Sequence, residues 1–104
     1  MKLSIIIVSY NVCEYLQQCL ASIYKSRIIN NIEVIVIDNH SHDRTREMIS
    51  KEYPDIIYVQ NQINIGFSKA VNIGMNMATA EYICILNPDT LVCDNTFEFL
   101  INYL

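Results

Sequence analysis

A proline flanked by a carboxamide and a carboxylate ends the apolar run 83–86, where the chain continues Asn87, Pro88, Asp89 and Thr90. These residues suit a simple turn, because proline fixes φ and Asp89 or Thr90 can start the next element. They also suit a hard cation such as Mg²⁺ or Mn²⁺, which takes carboxylate oxygens together with phosphate oxygens and water. The motif alone favours neither alternative, so the rest of the chain has to decide.

Polar residues also follow the three earlier apolar runs. They are Ser9, Tyr10 and Asn11 after the first run, Asp38, Asn39 and His40 after the second, and Gln60, Asn61 and Asn64 after the third. Singly, each has an ordinary explanation: Asp38 suits a turn with Ser41 or Asp43 capping the next helix, and Tyr10 suits half-buried packing. The functional alternatives are hydrogen bonds from a pyrimidine or ribose to Asp38, and stacking of Tyr10 on a base. For Asp38 taken alone, the turn is favoured.

The only two glycines, Gly66 and Gly74, lie around a predicted helix. Gly66 suits a turn or a close backbone approach to a ligand, and Gly74 lets the helix lie close to a sheet. The G-x-G-x-x-G and P-loop patterns are absent, so a dinucleotide site or a P-loop has no direct support. His40 and His42 lack partners at metal-ligand spacing and are expected to be solvated.

Four short runs rich in Ile and Val predict strands at 3–9, 33–38, 56–60 and 82–86, and their near-continuous hydrophobicity is typical of parallel strands covered on both faces. Helical patterns lie between them, at 11–25, 44–52, 67–78 and from about 95. The first is expected to be capped by Asn11, and Tyr15, Phe67, Leu100 and Leu104 are placed on inward stripes. Alternation of strands and helices predicts an α/β, Rossmann-like, mostly parallel sheet of about four strands with helices on both faces. Ligands of such sheets bind at the carboxyl ends of the strands, and because Asp89 lies at that edge with Ser9 and Asp38, the metal is favoured over the simple turn.

Composition limits the function further. The chain has 104 residues, a net charge of −4 and no basic stripe, which argues against a nucleic-acid polymer as partner. The four cysteines, Cys13, Cys19, Cys84 and Cys93, form no C-x-x-C pair, so we expect buried free thiols and a cytoplasmic protein, which could work at the inner face of the membrane. The apolar runs are too short to cross a bilayer.

The blocks VSYN, VIDNHSHD, NQINIGFSKAVNIG and YICILNPDT, in this order, resemble the family 2 glycosyltransferases, which have the GT-A fold, and their rhamnosyltransferase-like members most. The resemblance covers the whole chain and implies a nucleotide-diphosphate-sugar donor of UDP or dTDP type and a divalent metal, Mg²⁺ or Mn²⁺. It implies that Ser9 and Tyr10 line the base pocket, Asp38 contacts the base or ribose, Asn64 and Gly66 border the donor site, and Asp89 binds the metal. Asn87 stands where the commonest motif, Asp-x-Asp, has its first acid; an amide is the weaker cation ligand, so the diphosphate would carry more of the coordination.

The resemblance also implies inverting transfer to a glycan or lipid-linked acceptor. In the family, the catalytic base and the acceptor-binding part follow the block YICILNPDT, and the last helix here meets the end of the chain without a stop signal. We therefore expect 1–104 to be the N-terminal nucleotide-sugar-binding part of a GT-A domain, with no catalytic residue and no transfer alone. The alternative is a non-catalytic α/β nucleotide-binding or self-associating module. A phosphate-accepting receiver domain is disfavoured, because Ser9-Tyr10-Asn11 contains no acid.

Overall fold

The computed structural model describes residues 2–26 and 29–103. The strands are β1 (Leu3–Ser9), β2 (Ile32–Asp38), β3 (Ile57–Gln60) and β4 (Tyr82–Leu86). The helices are α1 (Cys13–Tyr24), α2 (Thr45–Glu52), α3 (Phe67–Met77) and α4 (Thr96–Tyr103), with a 3₁₀ turn at Ile29–Asn31. The bounds of β1 and β4 are those predicted, and those of the other elements differ by one or two residues.

All four strands are parallel and lie in the order β3-β2-β1-β4. Successive strands thus move outward from β1 to β3, and the chain then crosses back to place β4 on the other side of β1. The predicted α/β architecture with a parallel sheet of four strands is confirmed. The reversal of strand order lies between β1 and β4, which is where ligands of open α/β sheets bind.

The helices cover both faces of the sheet, as predicted. On one face, α1, α2 and α4 bury Leu16, Met48 and Phe97 against alternate residues of the strands. On the other, α3 packs on β1 and β2. It lies so close to the sheet at Gly74 that a Cβ there would be 2.6 Å from Cγ2 of Ile6, the close packing that the sequence predicted for this glycine.

Several side chains are less buried than predicted. Tyr15 and Phe67, assigned to inward stripes, are 59% and 55% exposed, and Leu100 is 46% exposed; Leu104 lies outside the described residues. The expectation that all strands are covered on both faces is wrong for β4. Its residues Ile83 and Ile85 are 43% and 47% exposed, because α3 lies over β1 and β2 and leaves that face of β4 open.

The cysteines were expected to be buried. Within 2–26 and 29–103 all four are free, but Cys19 alone is buried and Cys93 is exposed. No described helix has the length and apolar character needed to cross a membrane.

Candidate functional site

The loops after β1 and β2 are joined by hydrogen bonds that continue beyond the sheet. The Asn39 N–H donates to the Ser9 carbonyl at 2.8 Å, and the Asn11 N–H donates to Ser41 Oγ at 2.8 Å. One residue on, the His42 N–H donates to Asn11 Oδ1 at 2.7 Å. Asn11 has a positive φ of 52°, a conformation that asparagine tolerates better than most residues. The two loops therefore form one connected layer at the carboxyl edge.

Asp43 holds the first turns of two helices. Its Oδ2 accepts the Cys13 N–H of α1 at 3.1 Å, and its Oδ1 accepts the N–H and the hydroxyl of Thr45 in α2 at 3.1 and 2.6 Å. Partial burial acts to raise the pKa of Asp43, but these hydrogen bonds lower it by more, and the net shift is downward. The predicted cap of α1 by Asn11 is wrong, since a carboxylate 30 residues further along the chain takes that place. The predicted role of Asp43 at the start of α2 is confirmed.

Asp38 is fully buried below this layer. Its carboxylate accepts hydrogen bonds from the Ser41 N–H at 3.1 Å, from the Ser41 hydroxyl and from the Tyr58 hydroxyl at 2.8 Å. Burial and the adjacent Asp38 carboxylate raise the pKa of Tyr58. The turn predicted after β2 is thus present. A contact between Asp38 and a base or ribose stays a prediction.

The hydroxyl of Ser9 is buried and, among the described residues, is the one buried side-chain oxygen or nitrogen without a hydrogen-bond partner. A buried hydroxyl left unpaired costs about 1–3 kcal/mol, so native proteins rarely keep one. It lies at the end of β1, at the reversal of strand order. Tyr10, the next residue, is 45% exposed and has a ring face available for stacking.

Hydrogen bonds of the Asn39 side chain hold the loop between β3 and α3 at the same edge of the sheet. The Asn39 amide donates to the Gly66 carbonyl at 3.2 Å and accepts from the Asn61 side chain at 2.9 Å. Gly66 has φ +84° and ψ 172°, a region that essentially only glycine occupies. Asn64 is exposed, and its Oδ1 accepts the Gly66 N–H at 2.9 Å.

The segment after β4 forms the predicted turn, in which the Thr90 N–H donates to the Asn87 carbonyl at 3.1 Å. The same carbonyl lies 3.9 Å from the Cys19 thiol of α1. Burial, with the nearby negative charge of Asp89, raises the pKa of Cys19 to about 11. The side chains of Asn87 and Asp89 are both exposed. Within 2–26 and 29–103, no hydrogen bond joins this turn to the loops after β1 and β2.

The side chains of Asn87 and Asp89 fit a cation only if a bound ligand supplies further oxygen atoms. No group of three or more His, Cys, Asp and Glu residues among those described could hold a metal ion by itself. One exposed carboxylate, Asp89, with the amide of Asn87 beside it, matches the protein share of a Mg²⁺ or Mn²⁺ site in which phosphate oxygens and water supply the rest. His40 and His42 pack edge to face with ring centroids 5.0 Å apart, and they belong to no such group.

A groove of about 670 Å³ lies between α1 and α2. Its walls include Tyr15, Asp43 and Lys51, and none of the predicted nucleotide or metal residues lines it. The predicted site is therefore an open edge of the sheet, distinct from this groove.

Sequence reasoning missed the partners that fix the site. Ser41 was considered only as a helix cap, and Tyr58 was given no role, yet both bind the Asp38 carboxylate. A signal existed for Tyr58, because the hydroxyl of a tyrosine within a strand needs a hydrogen-bond partner when it is buried. The pairing of Asn39 with Asn61 and Gly66 depends on the register of β2 and β3 and has no local signal.

Comparisons with known proteins agree with this architecture. The family model described as glycosyl transferase family 2 matches residues 4–104. The chain is 39% identical over 106 residues to the minor teichoic acid biosynthesis protein GgaB of Bacillus subtilis, covering 96% of this chain and 12% of GgaB. It matches the crystal structure of S. aureus TarS 1-349 in complex with UDP-GlcNAc with a TM-score of 0.91 and 25% identity, covering 99% of this chain and 31% of that fragment.

A second solved structure is the mannosyltransferase PcManGT from Pyrobaculum calidifontis in complex with GDP-Man and Mn²⁺. It matches with a TM-score of 0.83 and 25% identity over 92% of this chain and 30% of PcManGT. The chain thus spans about a third or less of the length of these relatives. Their structures confirm the predicted GT-A fold, and the chain belongs to glycosyl transferase family 2.

Proposed function

We propose that this chain binds a nucleotide-diphosphate sugar, of UDP or dTDP type, as the donor half of an inverting glycosyltransferase. The observation that carries the proposal is the reversal of strand order at β1, which makes β1 and β4 neighbours, so that the loops after both strands leave the sheet at the same edge. In open α/β sheets the crevice that binds the ligand lies outside this point. Family membership supports the same substrate class, since the related TarS was solved with UDP-GlcNAc and PcManGT with GDP-Man.

On the β1 side of the crevice the nucleoside would bind. The exposed ring of Tyr10 would stack on the base, and the unpaired hydroxyl of Ser9 would gain a partner from the ligand or from a water that the ligand orders. Asn64 and Gly66 would border the sugar-phosphate, because glycine without a side chain lets a ligand approach the backbone closely. Asp38 belongs to this part of the site by its position at the end of β2.

On the β4 side the diphosphate would bind with a divalent cation. Asp89 would supply the carboxylate ligand and Asn87 a weaker amide ligand. Bound there, Mg²⁺ or Mn²⁺ would neutralise negative charge on the departing diphosphate. The side chain of Asp89 is exposed and makes no hydrogen bond within the described residues, so it is free for this contact.

Acceptor binding and removal of the acceptor proton would belong to parts of the protein outside these 104 residues, in line with the greater length of the relatives. The acceptor would be a glycan or a lipid-linked sugar, and the process a polysaccharide synthesis. We place the protein in the cytoplasm, at the inner face of the membrane where it meets a lipid-linked acceptor; free thiols support a reducing compartment.

A titration of the chain with UDP, followed by ¹⁵N NMR with and without Mg²⁺, tests the proposal. We expect metal-dependent shifts of the amides of Tyr10 and Asp89. Asp89→Asn removes the charge with little change in size and should abolish the metal dependence, whereas Asp94→Asn, at an exposed position five residues on, should not. The proposal is contradicted if UDP causes no shifts. It is also contradicted if the shifts are the same with and without Mg²⁺ in Asp89→Asn and in Asp94→Asn alike.

A self-associating module is the second candidate, favoured by the surface around β4. This strand is an edge of the sheet, and its residues Ile83 and Ile85 are exposed, as is Phe99 of α4 at 70%. Unprotected apolar edge strands pair readily with other chains. Light scattering over a hundredfold concentration range discriminates the two: a mass that rises with concentration, and that falls back in Ile83→Lys, supports association.

A further inference from the structure

We infer that Asp38 is a positioning residue, which holds the loop after β1 through the hydroxyl of Ser41 and does not itself bind the nucleotide. For its effect on nucleotide affinity the inference rests on the proposed function. The loop geometry that it explains does not depend on that function.

The carboxylate of Asp38 has little capacity left for a ligand. An ionised carboxylate has about four lone-pair sites, and hydrogen bonds already occupy three of them, two from Ser41 and one from Tyr58. Asp38 is also 0% exposed, so a base or ribose could reach it only after the layer formed by Ser41 and Asn11 had been displaced. Direct contact would thus cost the hydrogen bonds that organise the loop.

The Ser41 hydroxyl connects the buried charge to the surface. It donates to Asp38 Oδ1, and this fixes its proton and leaves its oxygen to accept the Asn11 N–H at 2.8 Å. Hydrogen bonds to an ionised acceptor are stronger and polarise the next bond in a chain. A chain of hydrogen bonds thus runs from the Tyr58 hydroxyl and Asp38, through Ser41, to the backbone of Asn11. We call this chain of hydrogen bonds the relay.

Asn11 is the residue that most needs such support. Its φ of 52° is uncommon for a residue other than glycine, and its side chain is engaged by the His42 N–H at 2.7 Å. The adjacent Tyr10 ring, the proposed stacking surface, takes its position from this backbone. If the relay is lost, Tyr10 and Asn11 should sample other conformations and the stacking surface should be less well formed.

The two possible roles of Asp38 predict opposite effects of Tyr58→Phe. If Asp38 binds the nucleotide, loss of the Tyr58 hydroxyl frees one lone pair, and UDP affinity stays the same or rises. If Asp38 positions the loop, the anchor loosens and affinity falls by about tenfold or more, the factor for one hydrogen bond to a charged group. Ser41→Ala should have at least the same effect, because it breaks the connection to Asn11 directly.

The experiment measures UDP dissociation constants in Mg²⁺ by NMR, together with the amide shift and ¹⁵N relaxation of Asn11 in the free chain. Ser41→Thr keeps the hydroxyl and should restore affinity and the Asn11 signal, whereas Ser41→Ala should not. The matched controls are Tyr53→Phe, at a half-buried tyrosine that directly follows α2, and Ser50→Ala, at an exposed serine of α2. Neither control should change affinity.

The outcomes separate the inference from the proposed function. Weaker UDP binding in Tyr58→Phe and Ser41→Ala, with rescue by Ser41→Thr, supports the relay. Unchanged or tighter binding in Tyr58→Phe overturns it while the proposed function stands. If the unmodified chain binds no UDP, the proposed function fails, and the free-chain signal of Asn11 still decides: an unchanged shift and relaxation in Ser41→Ala overturns the relay.

Discussion

Replacing Gly74 by alanine tests how closely α3 packs on the sheet. The added Cβ would lie 2.6 Å from Cγ2 of Ile6, and 3.3 and 3.4 Å from its Cγ1 and Cδ1. Ile6 is fully buried in β1, and β1 has a hydrogen-bonded strand on each side, so neither the branched side chain nor the strand can move away easily. The helix would have to shift outward or Ile6 would have to leave its rotamer.

The size of the effect follows from two opposing contributions. Overpacking of a filled core costs about 1–3 kcal/mol. Alanine at an interior helix position gains about 1 kcal/mol over glycine. We therefore expect Gly74→Ala to lower the free energy of unfolding by up to about 2 kcal/mol, whereas helix propensity alone would predict that it raises this free energy.

Urea denaturation followed by circular dichroism measures this change, and Asn76→Ala, at an exposed position of α3, provides the control for propensity. In an Ile6→Ala background, which removes both atoms nearest to the new methyl group, Gly74→Ala should become stabilising by about 1 kcal/mol. If Gly74→Ala is stabilising in the unmodified chain by as much as in Ile6→Ala, the close approach of α3 is not what limits this position and the reasoning fails.

Two further predictions concern the backbone and the acid stability. Gly66→Ala should destabilise the chain by about 1–3 kcal/mol in the same urea assay. The cause is backbone strain at φ +84° alone, since no atom lies within 4 Å of the added Cβ. An unchanged urea midpoint would refute this prediction. Partial burial acts to raise the pKa of Glu33, but hydrogen bonds from Ser4 and Thr79 lower it by more, so the net pKa lies below 4.5. The stability that this carboxylate confers should be complete above about pH 4.5 and should be lost as the pH falls through the lowered pKa. Glu33→Gln should flatten that part of the profile of stability against pH. An identical profile in Glu33→Gln would contradict the role given to this carboxylate.

The elements of the fold could be predicted from the sequence because each has a local cause. The Ile- and Val-rich runs define β1 and β4 to the residue, since a polar residue and the Asn87–Pro88 pair end them abruptly. The predicted place of the site also follows from topology, since parallel strands bring their carboxyl ends to one edge. Burial was less predictable: Tyr15 and Phe67 follow the helical period, yet both side chains are more than half exposed.

The contacts within the site could not be predicted in the same way. The cap of α1 comes from Asp43 and not from Asn11, because a carboxylate carried by the neighbouring loop satisfies the free N–H groups better than the local amide. The hydrogen bond from Tyr58 to Asp38 likewise depends on which strand lies beside which. Local rules cover residues within one turn, whereas these two bonds join residues 30 and 20 positions apart.

The central claim is that the loops after β1 and β4 meet around one diphosphate with a cation held by Asp89. Paramagnetic broadening by Mn²⁺ in the presence of UDP tests it most directly, because broadening falls off steeply with distance from the ion. We predict that substoichiometric Mn²⁺ broadens the amides of Asn87, Asp89 and Thr90 together with those of Tyr10 and Asn11, only when UDP is present. Asp89→Asn should abolish the effect. Broadening confined to the groove between α1 and α2, or to the β4 loop without the β1 loop, would contradict the claim.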